Sequence, residues 1–177
     1  MTRHAAVLIL RLSSADIFKE KAVGRARDWV MKEGDVTASE SRLYNISGET
    51  KEHLRKFRLT TSRASKPQAV IYLIDKTTHE IHQDADKVTY TSLDEIADDL
   101  PDHAPRFILL SYPLTMPDGR LSVPYVLLYY LPITCNAETR MLYAGAKELI
   151  RNTAEVNKVI DIESTEDLEE VPTQLTT

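Results

Sequence analysis

The chain has 177 residues, 42% of them apolar and 28% charged, the make-up of a folded domain with one ordinary core; wholesale disorder is excluded. The formal charge of −5 excludes a general nucleic-acid binder, and the single cysteine excludes a disulfide framework or a zinc ribbon. No apolar run approaches the length of a membrane-spanning helix, about 20 residues.

Residues 1–38 read as an appendage. Their apolar stretch, Ala5–Leu10, is too short for a secretory signal, and Asp16 and Glu20 argue against a mitochondrial presequence. One helix is expected near Asp16–Lys32. From Ser39 the pattern becomes regular. Ser47 is placed to cap a helix running to about Leu59, with Leu54 and Phe57 on its buried side. Ala69–Ile74 is a continuous apolar run, as in a strand covered on both faces. Glu80–Tyr90 reads as a more polar strand or two short ones. Ser92 and Glu95 form a capping-box pattern ahead of Ile96 and Leu100, and Pro101 stops that helix. Two strong strands follow, Arg106–Pro113 and Val123–Leu131. The turn signal Pro117-Asp118-Gly119 makes them a hairpin. Asn136 is expected to cap a long helix through Thr153, with Leu142, Ala146, Leu149, Ile150 and Thr153 as its apolar stripe. A short strand at Val159–Ile162 and an acidic helix over Glu166–Val171, capped by Ser164 or Thr165 and closed by Pro172, complete the order. That order implies an α/β (α+β) class, a sheet of about five strands with helices on both faces.

No catalytic constellation is visible. His79 and His82 are three apart without a third ligand at metal spacing, and a strand puts them on opposite faces. Cys135 precedes a helix start, yet no base lies near it in sequence, so it reads as a packing residue. No glycine-rich phosphate loop exists. No cofactor and no metal site is therefore expected, and a binding protein is the better reading than an enzyme. Charge supports a binding surface. Residues 41–66 carry seven basic side chains against two acids, whereas 161–177 carry six acids and no base. Such one-signed patches steer partners. On the long helix, Met141 stands among charges and off the apolar stripe, which marks it as an exposed anchor.

Met141-Leu-Tyr-Ala-Gly-Ala-Lys147 at the start of a long helix resembles the signature of the ADF/cofilin homology domain. Leu54–Leu59, Pro105–Tyr112, Asn152–Val159 leading into Thr165–Leu168, Asp118–Arg120 and the Pro132–Cys135 corner resemble, more narrowly, glia maturation factor, with wording most like a filamentous-fungal member. The resemblance implies a mixed five- or six-stranded sheet with helices on both faces, spanning an ADF-homology domain over 39–172, with 173–177 as a flexible tail. It implies a non-enzymatic, monomeric regulator of cytoplasmic actin, with a nuclear pool also implied. Such a regulator binds the actin-related protein 2/3 complex, chiefly at its actin-related protein 2 subunit. It inhibits branch nucleation, dissociates branches and binds actin itself weakly or not at all. No nucleic acid or membrane partner is implied. The alternative is a cofilin-like filament-severing protein. The cofilin pattern carries two lysines just before the Met-x-Tyr-Ala core; here Glu138 and Arg140 stand there, and the reversed charge at Glu138 favours the narrower assignment. By the same resemblance Glu138, Arg140, Met141 and Lys147, with Ser39 and Ser41, are expected at the partner contact. Arg55, Lys56 and Arg58 are carried as a basic group, and Arg120 as a second contact.

Overall fold

The structure, a computed structural model, describes residues 43–86 and 88–176. The expected appendage, and Ser39 and Ser41, lie outside the described residues. Elements follow in the order β1 (Asn45–Ile46), α1 (Gly48–Thr61), β2 (Gln68–Ile74), β3 (Glu80–Gln83), α2 (Leu93–Asp99), β4 (Arg106–Ser111), β5 (Leu114–Thr115), β6 (Leu121–Ser122), β7 (Tyr125–Tyr130), α3 (Ala137–Thr153), β8 (Lys158–Ile162) and α4 (Val171–Thr176), with a 3-10 turn at Glu166–Glu170 before α4. Six strands form one mixed sheet in the order β1-β3-β2-β4-β7-β8. The four inner strands pair antiparallel, and the outermost pairs, β1 with β3 and β7 with β8, are parallel.

Strand alternation sorts the core into two layers. Val70, Tyr72, Phe107, Leu109, Leu127 and Tyr129 face one side, where Leu54 and Phe57 of α1 and Tyr143, Ala146 and Ile150 of α3 cover them. Ala69, Ile71, Ile108, Leu110, Val126 and Leu128 face the other, under Ile96 of α2 and Leu168, Val171 and Leu175 of the C-terminal segment. Coverage on both faces is why these strands read as unbroken apolar runs.

Local chemistry sets the helix starts. The hydroxyl of Ser47 accepts from Thr50 N–H at 3.2 Å, that of Ser92 from Glu95 N–H at 3.2 Å, and the Asn136 carbonyl from Thr139 N–H at 2.8 Å. The strands of the predicted hairpin end earlier than the apolar pattern suggests. Pro113 and Pro124 have no N–H for the ladder, so the chain leaves the sheet there and closes as the separate β5–β6 hairpin. Gly119, at φ +82°, makes its tight turn.

The C-terminal segment differs more. Thr165 makes no side-chain capping bond; the Asp167 carboxylate does that work, accepting from Glu163 and Ser164 N–H, both at 2.9 Å. Those two bonds hold the Asp167 carboxyl below its ordinary range. Pro172 does not close a helix but sits in the first turn of α4, where a missing N–H is tolerated. Residues 173–176 belong to that helix rather than to a tail, and Leu175 is buried.

At the β1 edge, pairing reaches only Glu80 and Ile81 of β3. Glu80 C=O and Asp84 N–H turn inward to β2, so the intervening Gln83 turns its backbone outward. There His82 Nδ1 donates to Gln83 C=O at 2.9 Å, and Ala85 N–H donates to Asp84 Oδ1 at 2.6 Å.

Candidate partner-docking surface

The site grows from the corner between β7 and α3. Cys135 N–H donates to Pro132 C=O at 3.0 Å, and the Thr134 hydroxyl donates to Asp102 C=O. Cys135 is buried beneath this corner. The corner leaves Ile133 outside at 74% exposure, and Met141, one turn into α3, is 75% exposed. On the other flank Tyr44 is buried against α3 and its O–H donates to Leu142 C=O at 2.8 Å, which carries the neighbouring Leu43 to the surface at 54% exposure. Three of the six exposed large apolar side chains among the described residues therefore surround the first two turns of one helix. Clustering of that kind marks a contact surface, where scattered residues would not.

A groove of about 280 Å³ runs between Leu43 and Met141, with Lys76, His79 and Glu138 on its walls. The turn after β2 presents the first two. Asp75 Oδ1 accepts from Thr77 N–H at 2.7 Å and Thr78 N–H at 2.8 Å, which holds its carboxyl low, and His79 closes the turn at φ 53°. Glu138 stands in the first turn of α3, where the helix dipole favours a carboxylate. Arg140, on the adjoining face, reaches Ile133 C=O at 3.4 Å.

The structure brings Glu138, Arg140 and Met141 together and gives Lys147 different surroundings. Lys147 Nζ lies 2.6 Å from Asp161 Oδ1 on β8 and 4.7 Å from the centre of the Tyr129 ring. Burial, with Asp161 beside it, pushes the Tyr129 hydroxyl up to about 12. The basic group is also divided. Arg55 and Arg58 line a groove of about 590 Å³ with the exposed Leu59, between the C-terminal ends of α1 and α3. Lys56 lies on the opposite flank of α1, in a groove of about 620 Å³ beside β3 with His53 and His82. Thr153, the last residue of α3 and a lining residue of the Arg55–Arg58 groove, stands twelve positions and so about 18 Å along the helix from Met141, which makes the two groups separate contacts. Arg120 stands on the β5–β6 hairpin, 3.5 Å from Asp118 and next to the exposed Leu121.

Sequence reasoning missed Leu43, Ile133, Lys76 and His79. Only Ile133 carried a signal, a lone large apolar residue in a polar turn after a proline. Leu43 needed the Tyr44–Leu142 contact, which spans 98 positions. It also missed the acid for Arg58. That acid is Glu155, at φ 55° just past the end of α3.

Comparison with known proteins assigns this covered mixed sheet to a family. Residues 43–174 match the family described as cofilin/tropomyosin-type actin-binding protein. Human glia maturation factor beta is 38% identical over 126 residues, covering 71% of this chain and 87% of that protein. Protein AIM7 of Saccharomyces cerevisiae is 39% identical over 145 residues, covering 76% and 97%. The solution structure of glia maturation factor from Caenorhabditis elegans superposes with a TM-score of 0.63 at 33% identity, covering 75% of this chain and 95% of that one. The chain belongs to the cofilin/tropomyosin-type family of actin-binding proteins. Its group within that family is that of the glia maturation factors, and its class of work is regulation of the actin cytoskeleton.

Proposed function

We propose that the chain binds the actin-related protein 2/3 complex at cytoplasmic actin, chiefly through the actin-related protein 2 subunit, inhibits branch nucleation and dissociates existing branches. The observation that carries this reading is the exposed Met141, sharing a groove with Leu43 at a helix start whose leading charge is Glu138 rather than a lysine. Apolar anchors ringed by a few charges suit a groove on a large partner. Arg140 flanks them, and Ser39 and Ser41, which shortly precede Leu43 in the sequence, are assigned to the same contact. Arg55 and Arg58 serve a second, steering contact, with Arg120 on the hairpin beside it in role.

Pull-down of the purified complex together with branch counting by fluorescence microscopy tests the reading. Met141→Ala should leave the folding stability within about 0.5 kcal/mol of the unsubstituted chain, because the side chain is already in solvent. It should weaken capture of the complex by about tenfold or more, as loss of an anchor does. Destabilisation of about 2–5 kcal/mol would instead make Met141 a core residue. Binding to bare filaments at low-micromolar concentration, without capture of the complex, would favour the cofilin-like alternative.

The steering contact has its own test. Arg55 is exposed, and Arg58 keeps 42% of its side-chain exposure despite its pair with Glu155. Arg55→Ala/Arg58→Ala should therefore slow association with the complex and flatten its salt dependence, since exposed charges act over about 8–10 Å in ordinary buffer. Stability should fall by no more than about 1 kcal/mol. Normal debranching with marked destabilisation would make the pair scaffold rather than contact.

A further inference from the structure

Every cation in the C-terminal half of α3 is already answered from within the domain. Lys147 Nζ lies 2.6 Å from Asp161 Oδ1, and Arg151 Nη1 lies 3.0 Å from Glu148 Oε2. The first pair is not a simple surface pair. Lys147 is only 26% exposed and its ammonium sits over the Tyr129 ring, whereas its partner Asp161 is 68% exposed on β8. The ammonium is thus held at two points, a carboxylate and an aromatic face. Among the described residues Arg140 alone of the α3 cations lacks a carboxylate, and it turns to a backbone carbonyl. With Glu138 at its start, α3 offers an acidic surface Arg140 alone of its cations, and no free ammonium.

The Asp161 end of the pair is open to solvent, so the pair also shapes the field that the helix presents. A carboxylate arriving on a partner would have to displace Asp161, already in contact distance, and would meet its negative charge first. Like charges at a contact are a device for refusing wrong partners. We propose that Asp161 is a specificity-determining residue: by holding Lys147 against β8 it withholds that ammonium of α3 from acidic protein surfaces. This rests on the reading of α3 as the docking helix.

Co-sedimentation of the full chain with bare actin filaments, an acidic polymer, tests it. Asp161→Asn should bind filaments at least about fivefold more tightly than the unsubstituted chain at low ionic strength, and the gain should fade as salt screens it. Asp161→Glu should restore the original behaviour. In Asp161→Asn/Lys147→Gln the gain should vanish, because the freed ammonium is gone. Asp94→Asn, which makes the same change in net charge from α2 on the opposite sheet face, should show no comparable gain. The proposal is overturned if Asp161→Asn gains nothing, if Asp94→Asn matches it, or if the gain survives removal of Lys147. Capture of the actin-related protein 2/3 complex by the unsubstituted chain is read separately: its absence would sink the proposed function, and the filament result would still decide the role of Asp161.

Discussion

Phe107→Ala should destabilise the domain by about 3–5 kcal/mol, the usual cost of emptying a buried phenylalanine site. Phe107 is completely buried on a central strand. Its ring packs 5.6 Å from that of Tyr129 and 5.1 Å from that of Tyr143, centre to centre. Each aromatic contact adds about 0.5–1.5 kcal/mol beyond burial, and Tyr143 is not free to fill the space. Tyr143 is fixed because its hydroxyl accepts from Ile74 N–H at 3.0 Å, tying α3 to the end of β2. Total stabilities of about 5–15 kcal/mol leave such a variant marginal. Urea unfolding should show a much lower midpoint at unchanged slope. A loss below about 1 kcal/mol would mean that the layer between sheet and α3 collapses into the cavity, contrary to the rigid packing described.

Gly145→Ala should be destabilising although alanine is the better helix former by about 0.5–1 kcal/mol. A Cβ at this position would lie 3.3 Å from Tyr44 Cζ and closer still to the Tyr44 hydroxyl. Tyr44 is buried and cannot swing away without giving up its bond to Leu142 C=O. Overpacking costs about 1–3 kcal/mol and the lost hydrogen bond about 1 more, so the helix gain is outweighed and a net loss of about 1–3 kcal/mol follows. A thermal double-mutant cycle with Tyr44→Phe checks the cause. Removing the hydroxyl should recover part of the loss, giving strong non-additivity. Additivity within about 0.5 kcal/mol would show that the two residues do not meet. Tyr44 also carries Leu43 to the surface, so the same variant should loosen that side of the docking groove.

The two layers of the core were legible because continuous apolar strands and an alternating helix stripe each demand a partner. Leu54, Phe57, Ala146 and Ile150 are buried as their spacing requires. The stripe of α3 was read slightly off its true line. Leu142 and Leu149 looked central, but the buried row runs through Thr139, Tyr143, Ala146 and Ile150. Tyr143 was passed over because a tyrosine fits an exposed or a buried place equally well until a partner such as Ile74 N–H is known. The exposure of Met141 was legible from its place among charges. The engagement of Lys147 was not, because Asp161 lies 14 positions away, on a strand whose pairing with β7 only the tertiary structure sets. The division of Arg55 and Arg58 from Lys56 follows from helical rotation, about 100° per residue, yet which flank faces α3 depends on how α1 crosses the sheet.

The short β1 edge has a consequence for the solubility of the domain. A bare row of outward N–H and C=O groups is a template on which another extended chain can add, the first step of aggregation. β1 covers only two positions of β3, so Gln83 and Ala85 would offer such a template. The His82 imidazole and the Asp84 carboxylate have taken the Gln83 carbonyl and the Ala85 amide for themselves. His82, which spacing alone raises as a metal ligand, thus acts with Asp84 to blunt this edge, leaving another extended chain fewer backbone groups to pair with.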